Sequence, residues 1–164
     1  MANFNWKIAG AAGEGIKVSG LILQKTAFRA GWYTYGSTEY PSLIRGGHNT
    51  FEVVLGTEPV YSARIKVDLL VDLKASTLAS LPFPLADLAN QSGNRLTKNT
   101  VALGASCALL DLDLPILKTV IAETFKGKDQ TVIDQNYQAA GLGFDYVMKN
   151  YSDHWLRYST TEVS

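Results

Sequence analysis

The chain has 164 residues, 46% of them apolar and 18% charged, and its 15 basic and 15 acidic side chains cancel. That length predicts one domain burying roughly 70% of its unfolded surface. The balanced charge excludes an electrostatic case for a nucleic-acid partner, and a charge-poor surface suits a protein that covers part of itself with another subunit. Cys107 is the only cysteine, so no disulfide, zinc site or cysteine-held cluster is expected within the chain. MANFNWK lacks the pattern of a signal peptide, and no apolar run approaches the roughly eighteen residues of a membrane span, so a cytoplasmic location is expected.

Phe4, Trp6 and Ile8 alternate with polar residues, the period of a strand. The strand runs into GAAGEG (residues 10–15), after which Ile16, Gly20, Leu23, Ala27 and Ala30 recur at helical spacing, with Lys17, Gln24, Lys25 and Arg29 opposite. Gly31 suits a left-handed helix cap. Strand, glycine turn and helix predict the first half of a βαβ unit. WYTY (32–35) reads as the second strand. Phe51, Val53 and Leu55 alternate as another, with Val60 to Ala63 returning as its hairpin partner. VDLLVDL (67–73) reads as a buried parallel strand.

Pro82 and Pro84 argue against regular structure around Phe83, and Leu85–Asn90 predicts a helical turn. Asn99–Leu110 is a helix of small residues. Pro115 opens another, whose stripe is Leu117, Val120, Ile121 and Phe125. Asp129 is placed to cap a last helix with Val132, Asn136, Ala139, Gly143 and Tyr146 on one face. The tail, 151–164, lacks periodicity and reads as an arm or a disordered segment beyond a domain over 1–150. These elements imply an α/β protein: a Rossmann-like, mostly parallel open sheet with helices on both faces and a β-hairpin near residues 49–63.

Two stretches concentrate chemistry. In GAAGEG, Gly10, Gly13, Glu14 and Gly15 sit where backbone amides at a helix N-terminus meet an anion. A dinucleotide site also wants an acid ending the second strand, and WYTYG offers none. Nicotinamide and flavin are therefore disfavoured, leaving another anionic ligand or tight helix–strand packing. The second stretch is EYPSLIRGGH (39–48). Pro41 stiffens it and biases Tyr40 towards extended backbone, Gly46 and Gly47 relax it, and Arg45 presents a planar cationic fork to a carboxylate or phosphate. An ordinary turn with a solvated arginine is the competing reading. Ser42 has no GxSxG elbow, so it reads as a substrate hydrogen bond rather than a nucleophile. His48 reads as a ligand-orienting or a structural imidazole, His154 as solvated and Cys107 as packing. One of Asp111 and Asp113 reads as a helix cap, and Asp68 and Asp72 as partners of loop backbone.

Taken together, IAGAAGEGIKVSG, TEYPSLIRGGHNTF, VDLLVDL, PLADLA, KNTVALGAS and NYQAAGLGF resemble the γ domain of 2-oxoacid:ferredoxin oxidoreductases, in the form that begins the large subunit of 2-oxoglutarate-type enzymes. The resemblance implies thiamine-diphosphate-dependent oxidative decarboxylation of a 2-oxoacid to an acyl-coenzyme A, with electrons passing through iron–sulfur clusters to ferredoxin. It implies that thiamine diphosphate and clusters reside in partner chains, the α and β subunits with a ferredoxin-like δ subunit as a further candidate. Coenzyme A is then a co-substrate, and this chain is inactive alone. By motif position Ser42 would face the 2-oxoacid and Arg45, Gly46 and Gly47 would shape the loop or meet an anion, above the turn at Gly13–Gly15. Where the family carries another strand and helix this chain has only KASTLASLPF, so a strand is expected to be missing between residues 73 and 85. A free subunit, a fragment and a shortened relative all fit this length. The alternative function is a stand-alone nucleotide- or coenzyme A-binding module.

Overall fold

The computed structural model describes residues 3–39, 49–62 and 66–151. Strand β1 (Asn3–Gly10) lies inside a six-stranded sheet and has both edges paired. Strand β3 (Asn49–Gly56) runs antiparallel along one edge, from Asn3↔Gly56 to Gly10↔Asn49. Strand β4 (Leu69–Asp72) runs parallel along the other, from Trp6↔Leu69 to Ala9↔Asp72. Strand β2 (Tyr33–Glu39) pairs with the far edge of β3, antiparallel, and so points the same way as β1.

The β1–helix–β2 unit is thus a split βαβ with β3 inserted between its strands. This corrects the expectation of a mostly parallel sheet: β1–β4 is the one parallel pair among the described strands. It also removes the hairpin expected over 49–63. Both edges of β3 are occupied, so no ladder remains for Val60–Ser62, which form no strand; Ala63 lies outside the described residues.

KASTLASLPF folds as a tight hairpin of two-residue strands, β5 (Thr77–Leu78) and β6 (Leu81–Pro82), which adds to the free edge of β4. Its turn residues, Ala79 and Ser80, have φ of 51° and 65°, the positive angles of a type I′ turn occupied without glycine or asparagine. The sheet ends on a two-residue strand whose Pro82 lacks an amide donor, which discourages further pairing.

Helix α1 (Ile16–Arg29) is followed by Gly31 at φ 103°, the left-handed residue expected past its end. Helix α2 (Leu85–Gln91), a 3-10 turn at Arg95–Thr97, and helices α3 (Lys98–Leu109), α4 (Leu114–Thr124) and α5 (Gln130–Asn150) complete the order. Asp113 and Asp129 occupy the N-cap positions of α4 and α5, but neither side chain bonds the helix amides.

Phe4, Trp6, Ile8, Phe51, Val53, Leu55, Leu69 and Val71 share one face of the sheet by strand register, and all belong to the core. Both α1 and α3 pack on that face: Gly20 of α1 leaves room for the Phe51 ring, and the Trp6 indole donates to Ser106 Oγ of α3 at 3.0 Å. From Thr100 to Leu109 α3 is buried on every side, lying between the sheet and α5. Two glycines make this double layer possible. A Cβ at Gly104 would strike the Ala140 carbonyl, and one at Gly143 the Val101 carbonyl. Thr100 Oγ1 donates to Asn136 Oδ1 at 2.6 Å in the same seam. Helices on both faces, the sequence expectation, are therefore corrected among the described residues. The small side chains of α3 let the second helical layer stack on the first. The opposite sheet face carries Asn5 and a Lys7–Glu52 ion pair at 3.3 Å.

Gly104→Ala is expected to cost about 1–3 kcal/mol by overpacking, seen as a lower Tm. Gly141→Ala, in the same helical layer but with nothing near its added Cβ, should gain up to about 1 kcal/mol from helix propensity. Replacing Ala79-Ser80 by Asn-Gly should raise stability by about 1 kcal/mol in urea unfolding, because it relieves two positive-φ positions.

Candidate functional site

The glycine turn lies where β1, the central strand, delivers the chain to α1. Glu14 N donates to Ala11 O at 3.2 Å and Ala11 N donates to Glu14 Oε1 at 2.9 Å, so backbone and side chain close the same turn. Gly13 and Gly15 have φ of 88° and 71°, angles that cost any other residue strain, and a Cβ at Gly15 would meet Asn99 Nδ2 at 2.8 Å. Gly10 has a different reason: its Cβ would meet Ile16 Cδ1 at 2.8 Å, so it serves close strand–helix packing.

The start of α3 braces the turn from below. Asn99 Nδ2 donates to Ser19 Oγ at 3.0 Å, and Ser19 Oγ donates to Gly15 O at 2.7 Å. Lys98 Nζ stands 3.8 Å from Glu14 Oε2. Glu14 is thus a structural clamp, and its charge is partly neutralised within the turn.

Above the turn, the N-terminus of α1 opens into a cleft of about 370 Å³. Its N-cap, Gly15, has no side chain to satisfy the first-turn amides, and the first turn contains no acid. Positive potential from the helix end and from Lys17 therefore faces the cleft. The far wall is Thr38 from the end of β2 with Asn49 and Thr50 from the start of β3. Thr50 Oγ1 is buried there with no hydrogen-bond partner among the described residues. A cavity edged by helix-end amides with no side-chain cap, an ammonium and, among the described residues, a spare hydroxyl suits a phosphate or carboxylate. On the other side of the turn Arg95 and Lys98 border a smaller cleft of about 150 Å³.

The expected ligand loop, Tyr40, Pro41, Ser42, Arg45, Gly46, Gly47 and His48, lies outside the described residues, as does His154. Its anchors do not. Register Gly10↔Asn49 and Glu39↔Thr50 brings both strand ends that carry the loop to the same end of the sheet as the glycine turn. The glycine turn and the two anchors of the second stretch therefore stand at one end of the sheet. Lys17, Thr38, Asn49, Thr50 and Asn99 escaped the sequence reading. Lys17 had been placed on the solvent side of α1, and the strand termini carry no motif of their own. KNT before the small-residue helix was the one available signal for Asn99.

Other candidates resolve as structural. The Asp68 carboxylate accepts from Asn5 N at 2.8 Å, and Asp72 Oδ1 accepts from Lys74 N and Ala75 N at 3.0 Å each. Cys107 is fully buried, and burial pushes its thiol well above the usual range, which makes it unreactive. Because β3 separates β1 from β2, an acid ending β2 stands two strands away from the glycine turn, unlike the neighbouring-strand acid of a dinucleotide fold. Among the described residues no three His, Cys, Asp or Glu side chains gather as a metal site, and no helix is long and apolar enough to cross a membrane.

Comparison with known proteins places this geometry. Residues 5–82 and 76–146 match the family described as pyruvate ferredoxin/flavodoxin oxidoreductase. A 2-oxoacid:ferredoxin oxidoreductase subunit alpha from Sulfolobus sp is 36% identical over 84 residues, covering 51% of this chain and 13% of that subunit. Ketoisovalerate oxidoreductase subunit VorA from Methanothermobacter marburgensis is 29% identical, covering 88% of this chain and 36% of its own length. Among solved structures, 2-oxoglutarate:ferredoxin oxidoreductase from Magnetococcus marinus, with 2-oxoglutarate, coenzyme A and succinyl-CoA bound, superposes with a TM-score of 0.82 at 22% identity. It covers 97% of this chain and 33% of that one. The gamma subunit of a keto/oxoacid ferredoxin oxidoreductase from Geobacter sulfurreducens superposes at 0.70 with 21% identity, covering 89% of this chain and 99% of that one. The glycine turn, the strand order and the cleft between them are thus those of a chain that belongs to the pyruvate ferredoxin/flavodoxin oxidoreductase family.

Proposed function

We propose that this chain is a non-autonomous γ-type subunit or domain of a thiamine-diphosphate-dependent 2-oxoacid:ferredoxin oxidoreductase, working in the cytoplasm. In this reading it covers an active site built by α and β subunits, with or without a ferredoxin-like δ subunit, and contacts the 2-oxoacid or coenzyme A. The observation that carries it is the convergence, in a member of this family, of the open α1 N-terminus with both anchors of the Ser42–Arg45 loop.

In this reading thiamine diphosphate, held by partner chains, would supply an electron sink, and their iron–sulfur clusters would supply a path for electrons towards ferredoxin. What this chain's residues supply is binding and orientation. Lys17 and the first-turn amides of α1 fit the phosphates of coenzyme A, and Thr50 offers a further donor at the cleft wall. Arg45 is suited to grip the 2-oxoacid carboxylate by charge-assisted hydrogen bonds while Ser42 donates a second. Tyr40 and Pro41 would stiffen the approach of that loop, Gly46 and Gly47 would relax its exit, and His48 would orient the bound group. Glu14 stays committed to the turn.

A stand-alone nucleotide- or coenzyme A-binding module is the second reading, favoured by an α1 cleft lined by residues of this chain. Calorimetry separates the two: tight binding of coenzyme A by the isolated chain supports the module, and negligible binding supports the subunit.

Mixed with thiamine-binding and cluster-carrying subunits, the chain should restore 2-oxoacid-dependent reduction of an electron acceptor, and alone it should turn over nothing. Ser42→Ala and Arg45→Ala are expected to lower kcat/KM by about 10- to 100-fold, the value of a charged hydrogen bond, at unchanged Tm. Lys17→Ala should raise the KM for coenzyme A by roughly tenfold. Unaltered kinetics in all three would remove this end of the sheet from the active site.

A further inference from the structure

We infer that the outward face of α1 is the surface through which this chain docks onto the polypeptide carrying the rest of the oxidoreductase, an inference that rests on the functional reading above. Ile16, Gly20, Leu23 and Ala27 seat α1 on the sheet, so its outer face should be polar if it met only water. That face is mixed instead: Val18, Leu21 and Phe28 are 39%, 42% and 66% exposed, and their spacing sets them along one side of the helix together with Lys25. Lys17 flanks this stripe and Lys25 stands within it; α1 itself contains no acidic residue, and Glu123 of α4, which pairs with Arg29, is the carboxylate nearest this face. Its complement is therefore an apolar surface edged with carboxylates.

Three observations commit the occupant. The matching segment is 36% of the longer VorA chain and 33% of the Magnetococcus chain, so in these relatives the same domain is followed or preceded by much more polypeptide of its own enzyme. The Geobacter gamma subunit is covered over 99% of its length, so the family also carries this domain as a separate chain, which must meet its enzyme through its own surface. Lys17 and Val18 line the candidate cleft as well as the stripe, so the docking face is continuous with the site that a partner would complete. A second copy fits less well: a two-fold pairing of this face would bring Lys17 and Lys25 of the two copies towards each other.

The test uses the full chain with the thiamine-binding and cluster-carrying subunits of an oxidoreductase from the same organism, and reads association by light scattering and biolayer interferometry. A Leu21→Glu/Phe28→Glu variant should bind roughly 30-fold or more weakly, the scale of losing an interfacial hot spot, with parental circular dichroism and Tm. The milder Leu21→Gln should bind several-fold more weakly. Met148→Glu, which places the same charge at an exposed apolar residue of α5, should bind like the parent. Equal affinity of parent and stripe variants, in a parent that assembles, overturns the docking surface and leaves the functional reading standing. A parent that does not assemble overturns both. Self-association of the parent alone, lost in the double variant, overturns the proposed occupant in favour of a second copy.

Discussion

The fold depends on β1 having no free edge. Its amides and carbonyls are divided between an antiparallel neighbour and a parallel one, and its core-facing side chains lie beneath α1 and α3. The strand cannot slip by one residue without turning Phe4, Trp6 and Ile8 away from α1 and α3 and aiming Asn5 and Lys7 at them. The Trp6 indole adds a polar lock. Its N–H is buried, and bonding to Ser106 a hundred positions away avoids the roughly 1–3 kcal/mol cost of an orphaned donor. Because Ser106 also donates back to Ala102 O within α3, the lock fixes helix and sheet to each other.

From that anchored strand the position of the cleft follows. A chain leaving the middle of a sheet for a helix on one face must reverse direction within a few residues, and the left-handed angles at Gly13 and Gly15 accomplish this. The cost is a helix that begins without a side-chain cap. Asn99 and Ser19 stabilise the turn from the protein side and leave the amides of α1 facing outward. Structural demand and ligand chemistry thus meet at the same turn, since the missing cap is also what opens the amides to an anion.

The helical layers are stacked on one side of the sheet by contacts between main chains. Where Gly104 and Gly143 face Ala140 and Val101, α3 and α5 approach more closely than larger residues permit. Arg29 reaches from α1 to α4 and donates to both oxygens of Glu123 at 3.1 and 2.6 Å, which holds that carboxyl below its usual range. The pair is largely exposed and adds little stability beside the buried seam. Membership of a family whose relatives extend well beyond this segment fits such a body: one rigid helical side, and a sheet end left open around a cleft.

Local signals in the sequence were sufficient for the long elements, though not for β5 and β6, which form where Pro82 and Pro84 argue against regular structure. Alternation identified β1 and β3, helical spacing and Gly31 bounded α1, VDLLVDL marked the strand parallel to β1, and small residues marked the buried helix. The glycine turn was legible because positive φ restricts residue choice at a single position. Strand neighbours were not, because pairing depends on which edges the rest of the sheet leaves open: β3 took the place between β1 and β2, and Val60–Ser62 were left without a partner. Nor was the single-sided stacking of helices, which two glycines decide only when they meet across a seam between segments some forty residues apart. The amino-acid order by itself determined most of the strands, the glycine turn and the helices, and singled out two stretches as candidate sites. Only tertiary structure brought the glycine turn and the anchors of the second stretch to one end of the sheet, because register is a property of two strands at once and neither encodes it alone.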